Sequence, residues 1–327
     1  MNQGNILEMS GNYWKSCTLH AGIRLDIFTA LSKDQLTSED VAQKLNGDKR
    51  GVTMLLNALT AMDLLARDND RYSNTQASAS FLSKDSRRYI GHIIMHHQQI
   101  MASWSQLDIA VRTGAPVRAK ASQSDEEWRE SFLMGMHNMA TMLGPMLVKK
   151  IDLSRRRHLL DIGGGPGTYA IHFCLNNHQL NATVYDLPST RPFAERIIEE
   201  FDLTGRINFM EGNYLQDGIE GVYDVVWLSH ILHAEGPEDC QKIILKAVSA
   251  LEPGGMIIVH DFLLNNTMDG PLFPALFSLN MLLSTPTGQS YSEQQIMDML
   301  AGAGVNKIQR LPVQTPNNSG IITGVAN

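Results

Sequence analysis

The run His158-Leu159-Leu160-Asp161-Ile162-Gly163-Gly164-Gly165-Pro166-Gly167-Thr168 decides the fold of this chain. An apolar segment stops at a cluster of glycines and a helical pattern follows, which predicts a strand, a tight turn and a helix N-terminus. Glycine lets the backbone take positive φ and lets a ligand come close, while the free N–H groups of a helix start favour an electron-rich guest. This is the place of a cofactor. Its identity stays open here, because Gly165-Pro166-Gly167-Thr168-Tyr169-Ala170 satisfies the loose dinucleotide pattern G-x-G-x-x-G/A, and another adenosine-bearing cofactor would suit the same turn. No Gly-Lys-Ser/Thr follows, so a Walker-type phosphate loop is excluded.

Beyond the glycines, strand-like and helix-like segments alternate. Strands are predicted at Leu159 to Ile162, Ala182 to Asp186, Ile207 to Glu211, Val222 to Ser229 and Met256 to Leu263, with helices such as Phe193 to Phe201 and Glu238 to Leu251 between them. Parallel neighbours need crossover helices, so the fold class is α/β with a Rossmann-like, doubly wound sheet whose ligands sit beyond the strand ends. Asp186 ends the second strand, where a carboxylate can accept the hydroxyls of an adenosine ribose. Asn213 and Tyr214 follow the third and offer an amide for an adenine edge and an aromatic face for its ring. His233 follows the fourth, and an imidazole with an ordinary pKa of about 6.5 can accept a proton near neutrality. Asp261, after the fifth, could hold that ring in one tautomer.

The first hundred residues have a different texture. Tyr13, Trp14, Cys17, Ile23, Ile27, Phe28 and Leu31 recur at helical spacing between about Met9 and Leu31, an apolar face wide enough to predict burial against a second subunit. Thr37-Ser38-Glu39-Asp40 is a capping signal, Gly47 a stop, and Val52, Leu55, Leu56, Leu59 and Leu65 mark the next helix face. Arg67-Asp68-Asn69-Asp70-Arg71-Tyr72 is a hairpin turn. Two helices and a hairpin make a winged-helix pattern, but Thr37 to Ser80 holds five Lys or Arg against six Asp or Glu, a balance that favours a dimerisation scaffold over a DNA reader. A long helix is expected over residues 88 to 112, ending near Gly114-Ala115-Pro116. His92 and His96 on it have a metal-compatible spacing but no accompanying ligand cluster, so no metal is expected. After a polar stretch from Ala119 to Glu127, a methionine-rich helix runs toward Lys150 through Phe132, Met134, Met136, Met139, Met142 and Met146, with a break expected at Gly144-Pro145.

Composition narrows the function. The 327 residues, 43% hydrophobic and 19% charged, suit two compact domains, expected at 1–100 and 101–327. A net charge of −7 argues against a broad nucleic-acid-binding face. Cys17, Cys174 and Cys240 are far apart, which supports neither a disulfide framework nor a zinc knuckle. No run approaches the roughly 18 apolar residues of a membrane span, and the start carries no leader-like segment, so a cytoplasmic protein without membrane partners is expected.

Taken together, these residues resemble the class I S-adenosylmethionine-dependent O-methyltransferases of the caffeate and hydroxyindole (acetylserotonin) type, in their bacterial small-molecule branch. The resemblance rests on Leu160-Asp161-Ile162-Gly163-Gly164-Gly165-Pro166-Gly167, Tyr185-Asp186-Leu187-Pro188, Ile231-Leu232-His233 and Leu251-Glu252-Pro253-Gly254-Gly255 in order. It extends to Trp14 through Leu65 and Gly270-Pro271-Leu272-Phe273 through Asn280-Met281-Leu282. It implies an N-terminal all-helical, winged-helix-like dimerisation domain, a Rossmann-like methyltransferase domain, and a homodimer whose N-terminal residues help close the partner's pocket. By position it assigns Asp161, Gly163, Gly165, Gly167, Asp186, Leu187, Asn213, Tyr214 and Ser229 to S-adenosylmethionine and its product S-adenosylhomocysteine. It assigns His233 and Asp261 to catalysis, and Met136, His137, Asn280, Met281 and Trp14 to a small, aromatic or apolar acceptor. The chain departs from the family at Asn213 (often Asp), Ser229 (Lys) and Ala234-Glu235 (Asp-Trp). The implied reaction is methyl transfer to a hydroxyl. The alternatives are a sulfur or carbon acceptor, an NAD(P)-dependent oxidoreductase and a winged-helix regulator.

Overall fold

The computed structural model describes residues 1–119 and 126–327, so most of the polar stretch from Ala119 to Glu127 lies outside the described residues. The chain divides into two compact units, Met1–Met101 and Ala102–Asn327.

In the N-terminal unit the apolar face expected from Met9 to Leu31 is carried by three helices. They are α1 (Gln3–Gly11), α2 (Tyr13–Arg24) and α3 (Ile27–Ala30), with Asp26 at φ 58° between the last two. Aspartate tolerates that left-handed turn, and the bend folds Ile23, Ile27, Phe28 and Leu31 into the core. Tyr13 and Trp14 stay exposed, and α1 buries none of its residues. After β1 (Leu36–Thr37), Thr37 and Asp40 form the expected capping box at the start of α4 (Ser38–Leu45). The stop is made by Asn46 at φ 50°, with Gly47 N–H returning to Ala42 O. Then come α5 (Lys49–Ala61), which buries Val52, Leu56 and Leu59, and the hairpin β2 (Leu65–Asp68) and β3 (Arg71–Asn74), with β1 on the outer edge of β3. Helices α6 (Gln76–Phe81) and α7 (Gly91–Trp104) follow.

The long helix expected over 88 to 112 is two helices, because the chain turns at Ser105-Gln106 before α8 (Leu107–Thr113). Ser105 Oγ donates to Ala102 O, and Gln106 N–H reaches back only to Ser103 O, a local bonding pattern that competes with the helix ladder. Gly114 caps α8 at φ 67°. The break expected at Gly144-Pro145 does not occur. Helix α9 (Glu126–Leu147) passes through both residues and ends in a 3₁₀ turn, Val148–Lys150. Pro145 lies in the last turn, where its missing N–H removes one bond near an end that frays in any case.

The second unit is built on a sheet of seven described strands. In chain order its elements are β4 (His158–Ile162), α10 (Thr168–Asn176), β5 (Asn181–Asp186), α11 (Arg191–Glu200), β6 (Ile207–Glu211), β7 (Tyr223–Ser229), α12 (Pro237–Ser249) and β8 (Leu251–Phe262). Then follow α13 (Leu272–Ser284), α14 (Glu293–Gly302), β9 (Asn306–Arg310) and β10 (Ser319–Val325). The spatial order is β6-β5-β4-β7-β8-β10-β9, with β4 to β8 parallel and β10 antiparallel to both its neighbours. The expected parallel sheet thus carries a reversed strand near one edge. Leu251 to Gly255, which reads as a turn, lies inside β8 as a bulge: Tyr223 pairs with Leu251 and Val225 with Met256.

Alternating side chains feed a core on each face of this sheet. Leu159, Val184, Val225, Trp227 and Ile258 pack with Leu147, Ile171 and Phe173, while Leu160, Val226, Leu228 and Ile257 pack with Ile243 and Ile244. Each fully buried aliphatic side chain contributes on the order of 1.5–3 kcal/mol. The rigid layer so formed fixes the C-terminal ends of β4 and β7, where the strand order reverses and an α/β sheet opens a crevice. No described helix is long and apolar enough to cross a membrane.

Candidate active site

The turn after β4 is held by its own backbone. Gly163 N–H donates to Tyr185 O at 2.8 Å, and Gly163 has φ 65°; a Cβ there would lie 2.5 Å from Ile231 Cγ2. Gly165 has φ 55°, but the nearest atom to its missing Cβ is Leu133 Cδ2 at 4.0 Å, so this glycine faces open space. Gly167 serves as the N-cap of α10. Asp161 is not on the open side. It is buried beneath the loop, its carboxyl against Gly164, and accepts from Ala170 N–H in the first turn of α10. Burial, then the charge of Asp186, push its pKa up to about 8, and its Oδ2 is buried without a partner.

Asp186 is the loop's anchor. Its Oδ2 accepts from Gly165 N–H at 2.8 Å, and its Oδ1 accepts from Leu187 N–H at 2.7 Å and Thr190 Oγ1 at 3.0 Å. A carboxylate offers about four acceptor positions, so one remains, on Oδ2 beside Gly165. The open glycine face and that spare acceptor are where an adenosyl cofactor could be held, by Gly165 and Asp186.

Asn213 and Tyr214 are more committed than their sequence positions suggest. Asn213 Oδ1 accepts from Leu215 N–H at 2.9 Å, shaping the turn after β6. Tyr214 donates its hydroxyl to Glu235 Oε1 at 3.0 Å, and burial, then Glu235, raise the phenol's pKa well above its usual value. Glu235 is buried, and its backbone oxygen accepts from Tyr291 at 2.6 Å. The Ala234-Glu235 departure from the family pattern therefore ties the turn after β6 to the turn after β7. Ser229 bonds His260 Nδ1 at 3.0 Å, and His260 Nε2 bonds Ser319 Oγ at 2.9 Å on the antiparallel strand β10, a buried chain that occupies the serine.

His233 and Asp261 meet as expected. His233 lies on a 3₁₀ turn just past β7, Asp261 lies at the end of β8, and Nδ1 is 2.6 Å from Oδ1. Phe262 N–H also donates to Oδ1 at 2.8 Å, while His230 Nδ1 stands 3.6 Å away. The two imidazoles and these donors outweigh the opposing effect of burial and hold the Asp261 carboxyl far below the ordinary carboxylate range. An ionised Asp261 accepts a hydrogen bond from Nδ1–H, which leaves His233 Nε2 as the bare acceptor. Among the described residues, His230, His233 and Asp261 are the one group of three ligating side chains within 4.8 Å. The 2.6 Å contact is a hydrogen bond, shorter than the roughly 3.3 Å between two ligands of a tetrahedral ion.

An aromatic wall closes this side. The Phe277 ring is 4.7 Å from His233 edge-on, Phe262 lies 5.8 Å from His233, and Phe273 joins Phe262 at 5.0 Å. These rings and His260 carry no role in the sequence reading, and Glu235 figures there only as a departure from the family pattern. The available signal was Phe273 and Phe277 four residues apart on the α13 face that also carries Asn280. His137 Nδ1 bonds Thr168 Oγ1 at 2.9 Å, which sets α9 and its half-buried Met136 beside the glycine loop. Asn280 and Met281 are buried on α13. Trp14 is exposed on the N-terminal unit.

Residues 106–306 match the O-methyltransferase domain family, and residues 7–84 match the O-methyltransferase dimerisation domain. A 3-hydroxy-5-methyl-1-naphthoate 3-O-methyltransferase of Streptomyces sahachiroi is 31% identical, covering 98% of this chain and 94% of its own. The acetylserotonin O-methyltransferase of Gallus gallus is 29% identical, covering 93% and 92%. Among solved structures, an O-methyltransferase family protein from Burkholderia thailandensis aligns with a TM-score of 0.90 at 26% identity, covering 100% of this chain and 98% of that one.

Proposed function

The chain belongs to the S-adenosylmethionine-dependent O-methyltransferase family, and from that premise we propose that it methylates a hydroxyl of a small aromatic molecule with His233 as general base. The observation that carries this reading is the buried His233–Asp261 pair at 2.6 Å beside an aromatic wall. S-adenosylmethionine, when bound, supplies an electrophilic methyl group. Gly165 and Asp186 would hold it, with Asp161 bracing the loop from below and the Asn213-Tyr214 turn closing the far side. His233 Nε2 takes the acceptor's proton, and the ionised Asp261 keeps Nδ1 protonated and offsets the positive charge that the ring acquires. Phe262, Phe273 and Phe277 exclude water and present flat surfaces to an aromatic acceptor. Relatives named for a hydroxynaphthoate and for acetylserotonin act on acceptors of this shape.

Positioning supplies most of the rate, and base catalysis adds typically 10²- to 10⁴-fold when the acceptor is a weak acid. The dimerisation domain at residues 7–84 supports a homodimer. Trp14, exposed on its own chain, then serves as a residue that closes the partner's pocket. His233→Ala should keep its affinity for S-adenosylhomocysteine and lose most turnover on a phenolic acceptor. Unchanged turnover would show that the acceptor atom needs no base, as a thioether or a carbanion would not.

A further inference from the structure

The catalytic unit also holds a cation, Arg118, with no counter-charge among the described residues. The segment after α8 is pinned to the last turn of α13, where Val117 N–H and Arg118 N–H donate to Leu283 O at 3.0 and 3.2 Å. From there Arg118 Nη2 donates to the buried Asn280 Oδ1 at 3.0 Å. A guanidinium carries five donors in a fixed fork, and here Nε is buried with no acceptor. Burial alone lowers the Arg118 pKa, to about 10, which leaves it charged at neutral pH with no carboxylate near it among the described residues. A half-buried guanidinium without an anion is costly, and the α13 C-terminus and one amide oxygen compensate for it only in part.

Its position gives the unmet donors a use. Asn280 stands three residues after Phe277 on the same face of α13, a rise of roughly 4.5 Å, and the Phe277 ring lies against His233. The imidazole and the guanidinium are therefore contacted from neighbouring positions, one turn apart, on one face of α13. We infer that Arg118, aimed by Asn280, is a subsite for a carboxylate of the acceptor, so that the substrate is an aromatic molecule bearing both a hydroxyl and a carboxylate. Two parallel N–H···O bonds from a guanidinium match a carboxylate's geometry, and the Asn280 bond fixes the plane of the fork. The inference rests on the reading that places the acceptor hydroxyl at His233.

The test is calorimetric binding of a hydroxynaphthoate and of its methyl ester to the protein loaded with S-adenosylhomocysteine. The acid should bind the parent roughly tenfold or more tightly than the ester, the worth of charge-assisted bonds in a buried site. In Arg118→Gln the ratio should fall to about unity, and Arg118→Lys, a point charge without the fork, should retain part of it. Equal binding of acid and ester by the parent would overturn the subsite whether or not the variants fold. So would an unchanged ratio in Arg118→Gln. Methyl transfer from labelled S-adenosylmethionine to the hydroxynaphthoate itself, measured alongside, separates the two levels. No transfer with the acid preference intact would sink the hydroxyl reading and leave the subsite standing, and transfer without any acid preference would sink the subsite alone.

Discussion

Asp261→Asn isolates the part of the mechanism that the geometry defines best. The side chain is 3% exposed, its Oδ1 lies 2.6 Å from His233 Nδ1, and the same oxygen accepts from Phe262 N–H at 2.8 Å. Asparagine keeps the shape and loses the charge. If its oxygen stays with the Phe262 N–H, the same oxygen still accepts from His233 Nδ1–H, so the imidazole keeps its tautomer and only the negative charge behind it is lost. Nε2 stays bare but is a weaker base, because nothing offsets the positive charge that the ring acquires. The loss should be part of the general-base contribution, roughly 10- to 10²-fold in kcat, or about 1.4–2.7 kcal/mol of barrier. Single-turnover transfer to a phenol, followed from pH 6 to 10, is the assay. With the base weakened the variant's rate should climb toward the phenol's own pKa of about 10, whereas S-adenosylhomocysteine affinity should be nearly unchanged. A rate within about threefold of the parent, under roughly 1 kcal/mol of barrier, would refute the assignment.

The same substitution has a stability signature. The Asp261 pKa is depressed in the fold, so its stabilisation is present above the unfolded value of about 3.9 and is lost as the pH falls below it. The variant should lack that acid-labile contribution.

Two further predictions concern the glycine loop. Gly163→Ala places a Cβ 2.5 Å from Ile231 at φ 65° and should destabilise by about 2–4 kcal/mol in denaturant melts, whereas Gly165→Ala, at φ 55° in open space, should lose about 1 kcal/mol and weaken S-adenosylhomocysteine binding far more. Identical behaviour of the two variants would contradict the geometry. Asp161 has a folded pKa raised to about 8, so the stability attached to its protonated form is complete below the unfolded value of about 3.9 and is lost as pH rises through 8. Asp161→Asn should therefore flatten the fall in melting temperature between pH 5 and 9, and parallel curves for parent and variant would refute that.

Much of the architecture was legible because local and global signals agree. The run from Leu159 to Ile162 ends at glycines whose positive φ the turn requires, and β5, β7 and β8 end at or near Asp186, His233 and Asp261. Thr37 and Asp40 cap a helix by a mechanism that needs no tertiary partner. Misreadings arose where a neighbour decides. Pro145 looks like a breaker until its place in the final turn is known, and Leu251 to Gly255 reads as a turn until the pairing of Leu251 and Met256 with β7 shows it to be a bulge inside a strand. The site shows the same division. His233 and Asp261 follow from strand ends, but the Tyr214–Glu235 bond joins turns that are apart in sequence. Arg118 carries no signal at all in the sequence, because the role inferred for it rests on the lack of a counter-charge around it among the described residues.

The two buried aspartates of the catalytic unit show how one interior supports opposite charge states. Asp161 meets burial, a neighbouring carboxylate and one helix N–H, and the balance favours the neutral acid. Asp261 is as deeply buried, but two imidazoles and the Phe262 N–H converge on it, and the balance favours the anion. Environments that push like groups apart assign them different work. In the proposed reaction the fixed negative charge behind His233 makes Nε2 a base, while the glycine loop is braced by a carboxyl that adds no permanent charge of its own. Giving Asp261 the surroundings of Asp161 would leave it neutral and His233 without a charge behind it, so the proposed base depends on the difference between the two sites.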